Sequence, residues 1–397
     1  MDKPIQREKI IRLAKWARGE PQPPVRIDLE PTLACNLKCK FCWQRSKERL
    51  EQCNYSNPLS ENRILELIDE AAKLGVKEWQ IAGGWEPMVK PEFAMKIMRC
   101  IKKNKMYGCI TTNGTLFKEE YIEELVKIGW DQILFSLEGP NAEIHDSLTG
   151  VKGSFDKSVE AMKLFKKYKQ IHRRKKPIYS FHTVLTNANY TNLKEMVQWG
   201  HELGCEGVMF EPLNSWSKDG EKLKLSDKQK EDMKNYIKEA LVLSEKLNLP
   251  TNLSYLLETR LIDKGQMDKI IASDVKKTEK NRKNKDYKNK FLSAPCYEPW
   301  LNLEVRISGH VVPCRLCDSH QYASKLHNKS LEEIWYGPYF FRIRKQILDN
   351  KLPRYCKTCA AGVIVDMRKL RKELNNLDSS LLYKIKYNIK RKILKKY

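Results

Sequence analysis

The sequence predicts an α/β protein built on a parallel sheet, with a small cysteine-rich α+β domain at its C-terminal end. Three observations predict it. Six extended runs alternate with segments of helical period, polar and glycine-containing stretches collect where those runs end, and most cysteines fall into one early and one late group. At 397 residues, one large domain with a smaller attachment is the natural division.

A helix is expected from Arg7 to Arg18, closed by 21-PQPP-24. The extended runs are 25-VRIDLEP-31, 78-EWQIAG-83, 107-YGCITT-112, 132-QILFSLE-138, 178-IYSFHTVL-185 and 207-GVMFEPL-213. Between them, 61-ENRILELIDEAAKLG-75, 119-EEYIEELVKIG-129 and 192-NLKEMVQWGHELG-204 repeat apolar residues at helical spacing and end on the Gly that a helix C-terminus favours. Such alternation implies parallel strands wrapped by helices, with functional groups on the loops at the strand C-terminal ends. A long polar helix is expected from Asp227 to Leu247, then a lysine-rich connector, 276-KKTEKNRKNKDYKNK-290. The expected boundaries are 1–24 for the N-terminal helix and linker, 25–250 for the β/α domain, 251–295 for the basic connector, 296–366 for the cysteine-rich unit and 367–397 for a basic amphipathic tail.

No segment has the make-up of a secretory signal, and no apolar stretch reaches the ~20 residues of a membrane span, so a cytoplasmic location is expected. In a reducing compartment, twelve cysteines read as metal ligands or redox groups rather than disulfides. The formal net charge of +24 favours anionic partners. The run 163-KLFKKYKQIHRRKKP-177 has no recognisable nucleic-acid module around it. In the tail, Leu382, Ile385, Ile389 and Ile393 recur at helical spacing among lysines, which suits peripheral contact with an anionic membrane. Lys386 interrupts that stripe, and docking on the protein itself is the alternative.

The early cysteine group lies in 33-LACNLKCKFCWQRS-46, where Cys35, Cys39 and Cys42 form C-x3-C-x2-C directly after the first extended run. A structural zinc takes four ligands and a [4Fe–4S] cluster has four irons to cap, so three thiolates leave one position open. The spacing, with an aromatic before the last cysteine, resembles the radical S-adenosylmethionine (SAM) superfamily. The alternative is a zinc site that borrows a distant fourth cysteine.

The resemblance implies a partial (β/α)6 TIM-like barrel and a [4Fe–4S] cluster on Cys35, Cys39 and Cys42. It further implies SAM on the open iron and reductive cleavage to a 5′-deoxyadenosyl radical that abstracts hydrogen. It also implies a SAM site. The string 83-GGWEP-87 is similar to the family's G-G-E-P and supplies Gly83, Gly84, Glu86 and Pro87, with Trp85 a departure in place of the second glycine. Asn113 in 111-TTNGTLF-117, and Ser136 and Glu138 in 135-FSLEGPNAEIHDSLTG-150, complete that set. No catalytic side chain is assigned. His145 is expected to pack or cap, and His182 is a candidate for facing the cavity.

The late group opens with 296-CYEPWLNLEVRISGHVVPC-314, read as a hairpin with its turn at Ser308-Gly309. Cys296, Gly309 and Cys314 resemble the opening of the auxiliary-cluster domains called SPASM and twitch, which implies one auxiliary [4Fe–4S] cluster on Cys296, Cys314, Cys356 and Cys359. A second auxiliary cluster is not expected, because Val365 stands where a further cysteine would follow. Cys317 is surplus, and a zinc ribbon on the Cys314/Cys317 and Cys356/Cys359 pairs is the alternative. The segment 331-LEEIWYGPYFFRIRKQI-347 resembles the helix that one-cluster domains of this kind place between the pairs, and Cys53, Cys100, Cys109 and Cys205 are read as core residues, one of which could be a hydrogen donor in an epimerase.

The expected reaction is oxidation or epimerisation of a sugar- or cyclitol-type small molecule with help from the auxiliary cluster. A flavodoxin or ferredoxin would supply electrons. One alternative is a peptide or protein side-chain maturase, against which stand the about two dozen residues before the first strand, few for a recognition domain. Another is a non-catalytic metal-cluster protein that binds a polyanion.

Overall fold

The computed structural model describes residues 3–42, 57–83, 85–215, 217–258, 286–315, 317, 323–353, 355–356, 359, 363–364 and 366–377. Six strands, β1 (Arg26–Leu29), β2 (Glu78–Ile81), β3 (Tyr107–Thr112), β4 (Gln132–Ser136), β5 (Ile178–Leu185) and β6 (Val208–Pro212), pair in parallel, each with the next. Helix α1 (Lys3–Trp16) precedes them. The crossovers are α2 (Glu61–Leu74), α3 (Pro91–Lys103), α4 (Glu119–Lys127), then α5 (Ala142–Thr149) and α6 (Ser154–Ile171) together, and α7 (Leu193–Leu203); α8 (Asp227–Leu247) follows β6. The alternation read from the sequence is therefore the architecture: a parallel sheet with helices as its crossovers.

Local chemistry accounts for the elements. In α2, Ser60 accepts a hydrogen bond from the Arg63 N–H at the start, and Gly75 at φ 99° ends the helix. Ile64, Leu67, Ile68 and Ala71 fall on its buried stripe; each large side chain of this kind contributes about 1.5–3 kcal/mol when fully buried. Along the strands the two faces differ. Ile27, Leu29, Trp79, Ile81, Ile133, Phe135, Tyr179 and Phe181 are buried on the face covered by helices. The alternate residues, among them Asp28, Gln80, Thr111, Ser136, His182 and Glu211, give the concave face a polar lining. Register lines up Asp28, Gln80, Cys109 and Gln132 in one row and sets Ser136 opposite His182.

The C-terminal unit continues this sheet. After α9 (Tyr287–Leu292) and α10 (Glu298–Leu301), strand β7 (Asn302–Val305) pairs in parallel with the other edge of β1; β8 (His310–Val312) and β9 (Ser324–Lys325) add antiparallel to give nine strands in the order β6-β5-β4-β3-β2-β1-β7-β8-β9. The hairpin turn falls where expected, with Gly309 at φ 79° and its N–H on the Arg306 carbonyl.

Two expectations shift. The first helix runs from Lys3 rather than Arg7 and ends at Trp16. The single helix expected over 331–347 is two, α11 (Leu331–Trp335) and α12 (Pro338–Leu348). Pro338 cannot donate within a continuing helix, and a side chain on Gly337 would begin 2.5 Å from the Glu333 carbonyl oxygen. Only the last residues of the lysine-rich connector are described, entering α9. Cys53, Gly84 and the 381–397 tail lie outside the described residues. Among the described residues no helix is long and apolar enough to cross a membrane.

Candidate functional site

The three early cysteines follow β1, at the C-terminal end of the parallel strands, and all are half-buried. Their loop is held from several sides. Lys38 and Lys40 N–H groups donate to the Thr149 and Leu148 carbonyls at the end of α5. Gly150, in the left-handed region at φ 70°, lies so close that a Cβ would meet the Lys38 carbonyl oxygen at 2.8 Å. Asn36, between the first two cysteines, accepts a hydrogen bond from Asn113 Nδ2 at 3.0 Å and donates to Thr115 Oγ1 at 2.7 Å. The Leu37 N–H points at Cys35 Sγ, 3.4 Å away.

The 83–87 turn docks on the same loop through the Glu86 N–H and the Ala34 carbonyl. Glu86 is buried, and its carboxylate accepts from Met88 N–H at 3.0 Å, Thr112 Oγ1 at 2.8 Å and Asn113 N–H at 2.7 Å. Burial pushes its carboxyl above the usual range despite those hydrogen bonds. The side chain thus ties the second strand end to the third, and Pro87 starts a short 3-10 turn behind it. Gly83, at φ 93°, brings the backbone to within a Cβ's reach of Glu304. Asn113 also accepts from Thr115 N–H and Oγ1, so its amide organises the cysteine loop. Trp85 is half-buried with its indole Nε1 unpartnered among the described residues.

Ser136 and His182 face the concave interior side by side, both half-buried. Burial, with help from Arg315, pulls the His182 imidazole down to about 4, so it is neutral. Glu138 differs from the expected rim acceptor. It is buried, one carboxylate oxygen accepts from the Val184 N–H at 2.8 Å, and burial pushes the carboxyl up to about 8. His145 caps locally as expected, its Nδ1 accepting from the Glu138 N–H at 3.0 Å.

The late cysteines gather at the opposite end. β7 runs with β1 and β8 against it, so Cys296, before β7, and Cys314, after β8, both lie at the N-terminal end of the parallel strands. Burial pushes the Cys296 and Cys314 thiols well up. Glu298, Cys359 and Cys356 add to the first, and Cys317, Cys296 and Cys356 to the second. The structure therefore brings together all four predicted residues and Cys317, whose Sγ is 3.6 Å from the Tyr339 hydroxyl. Cys109 is buried on the concave face rather than in the outer core.

Between the two cysteine groups runs a charged seam that sequence reasoning missed. Arg315, next to Cys314, reaches into the barrel, where its Nε lies 3.0 Å from Asp28 Oδ2; Arg26 Nε is 3.0 Å from Asp28 Oδ1. Burial opposes ionisation of Asp28, yet the two guanidiniums hold its carboxyl below the usual range. Arg315 Nη2 and Glu78 Oε2 are buried without a partner among the described residues. The available signal was the charge at every second position of 26-RIDLE-30, a pattern no strand between two apolar layers would carry.

Both cysteine groups fit iron–sulfur clusters. The late thiols, crowded in a desolvated nest, raise one another's pKa and gain from a cationic cluster that takes up thiolate charge. Backbone N–H groups directed at Cys35 and Cys296 sulfurs, the latter from Glu298 at 3.4 Å, are the contacts thiolates accept. No three His, Cys, Asp or Glu side chains among the described residues meet at the spacing of a single metal ion.

Comparison with known proteins agrees with this arrangement. Residues 29–200 match the radical SAM superfamily and 296–360 the SPASM iron–sulfur cluster-binding domain. The chain is a radical SAM protein with a C-terminal SPASM-like domain, and SAM and iron–sulfur clusters are its cofactors, in place of the zinc alternatives. It is 30% identical to a PqqA peptide cyclase of Granulibacter bethesdensis over 46% of each chain. It is also 30% identical to a tungsten-containing aldehyde ferredoxin oxidoreductase cofactor-modifying protein of Pyrococcus furiosus, over 46% of this chain and 49% of that one. The chain spans about half the length of these curated relatives. In fold it is similar to Streptococcus suis SuiB bound to its precursor peptide SuiA, with a TM-score of 0.60 and 19% identity over 89% of this chain and 74% of that one.

Proposed function

We propose that this protein is a radical SAM/SPASM enzyme that modifies a peptide or protein side chain. The observation that carries the reading is the polar concave face that lies between the two cysteine groups. Relatives named for peptide substrates, the PqqA peptide cyclase and SuiB with its precursor peptide, favour this over the sugar- or cyclitol-type substrate expected from sequence alone.

In this reading Cys35, Cys39 and Cys42 hold the SAM-binding cluster, and Cys296, Cys314, Cys356 and Cys359 the auxiliary one. When bound, these cofactors supply one-electron chemistry able to remove a hydrogen atom from carbon. The chain's own residues position and shield. Gly83 and Pro87 shape the SAM edge, Glu86 and Asn113 lock the loops around it, and Ser136 offers a hydroxyl from the concave face. Glu138 acts from below by fixing β4 to β5. Neutral His182 and the Arg315 guanidinium present a donor face to substrate carbonyl or carboxylate oxygens. A flavodoxin or ferredoxin is the expected electron source.

The test is anaerobic reconstitution, then incubation with SAM, a reductant and either synthetic peptides or a panel of cyclitols and sugars, with deoxyadenosine and product mass followed together. Peptide-dependent deoxyadenosine with a matching change in peptide mass supports the reading. Stimulation by a cyclitol and none by peptides returns the assignment to small-molecule chemistry.

A further inference from the structure

At the N-terminal end of the parallel strands, outside the barrel, α1, α9, α10 and α12 enclose a groove of about 490 Å3 that the reaction does not use. Its walls are Trp16, Trp300, Tyr287, Tyr336 and Phe341, with Arg344 in its lining. Tyr287, Tyr336 and Phe341 are 43%, 39% and 65% exposed, so the groove is open and its rim is aromatic.

Arg344 is only 7% exposed. Its Nε donates to the Pro299 carbonyl at 2.9 Å and its Nη1 to the Trp335 carbonyl at 3.0 Å. The guanidinium carbon stands 4.4 Å from the Trp335 ring centroid, 4.9 Å from Trp16 and 5.3 Å from Phe340. Rings and carbonyls account for its place in the packing. They leave its Nη2, which is buried with no partner among the described residues. No carboxylate pairs with Arg344 among the described residues either; Asp349, the acid lining the groove, is engaged by Lys290 at 2.8 Å, and Lys345 adds a second positive charge to the lining. A buried guanidinium without a counter-anion is costly unless something supplies one.

We propose that this groove is a second binding site, for an extended peptide segment that carries a carboxylate beside an aromatic or aliphatic side chain. The carboxylate meets Lys345 on the side of the groove that Arg344 makes positive, the apolar side chain packs on the exposed Tyr336 and Phe341, and the open rim lets the chain continue past both ends, which an enclosed small-molecule site would not. Its position at the strand ends remote from Cys35, Cys39 and Cys42 makes it a docking site that retains the substrate while another part reacts. The nature of the occupant rests on the peptide reading above.

The test measures binding apart from turnover. The reconstituted full chain is titrated by fluorescence anisotropy against a fluorescein-labelled Leu-Glu-Phe-Asp-Leu amide and its Leu-Gln-Phe-Asn-Leu counterpart. The acidic peptide is expected to bind about tenfold tighter, and Phe341→Ala and Lys345→Glu each to weaken it about fivefold with iron content and uncoupled deoxyadenosine release unchanged. Both substitutions are at the rim, so they avoid the folding loss that Arg344→Gln invites. Equal binding of the two peptides, or binding indifferent to both variants, overturns the proposal; so does self-association that the peptide displaces, which makes the groove a contact between copies. Peptide turnover with no groove binding overturns this site and leaves the function reading intact, and groove binding without peptide turnover does the reverse.

Discussion

Arg315 Nε lies 3.0 Å from Asp28 Oδ2, which joins the turn carrying Cys314 to the middle of β1. Arg315→Gln removes that charge while leaving Asp28 one guanidinium partner, Arg26. Because the Arg315 side chain is 37% exposed, the stability loss is expected to be small, about 1–2 kcal/mol. Substrate-dependent product should fall by at least about tenfold while iron content and uncoupled SAM cleavage persist. Full product formation by the variant would show that the guanidinium has no part in holding substrate.

Glu138 is expected to give stability a pH slope. Its folded carboxyl is raised to about 8 from the ordinary 4.5 by burial, so between those values the folded state holds a proton that the unfolded state releases. The contribution is complete below about pH 4.5 and is lost as pH rises through about 8. Glu138→Gln keeps an acceptor for the Val184 N–H and cannot ionise. Urea midpoints taken at intervals across that range should fall less steeply for the variant than for the parent, and parallel curves would refute the assignment.

Glu86 serves three donors at once: Met88 N–H, Thr112 Oγ1 and Asn113 N–H. Glu86→Gln puts an amide NH2 where one oxygen accepts. One buried donor then goes unmatched, at about 1–3 kcal/mol. The prediction is a lower thermal midpoint and weaker SAM retention by equilibrium dialysis, because the turn next to the cysteine loop loosens.

Gly150 offers a sharper test of loop placement. Alanine there must adopt φ 70° and put its Cβ 2.8 Å from the Lys38 carbonyl oxygen, so the loop between Cys35 and Cys39 has to move. Reconstituted Gly150→Ala should lose the iron of the early site while keeping that of the late one. Equal loss from both, read by Mössbauer or iron counting against a Cys35→Ala control, would point to general unfolding instead.

Local pattern made much of this fold legible. β3 and β5 match the expected runs residue for residue, because alternation and flanking turn residues bound them on both sides. The partnership of β7 with β1 was not legible, since hydrogen bonding between Arg26 and Asn302 neighbours leaves no trace in periodicity. At the site, the cysteines announced themselves by spacing. Glu86 was legible through its motif, whose backbone acceptors are the expected cofactor contacts, but not the work of its carboxylate, which serves protein donors; Arg315 was not legible, because its partner Asp28 lies 287 residues away in sequence. The break at Gly337-Pro338 was written in the sequence but outweighed by the apolar rhythm on either side.

The β1–β7 pairing also sets the order in which the protein can be made. On the ribosome, β1 emerges early and acquires β2 within a short stretch of chain, but its other neighbour begins at Asn302, after all six β/α units have been translated. Through that interval the nascent sheet carries a bare hydrogen-bonding edge, the kind that recruits chaperones or pairs with the wrong chain. The late segment closes that edge and brings the second set of thiols in the same act, so one strand pairing both completes the sheet and positions the late cysteines.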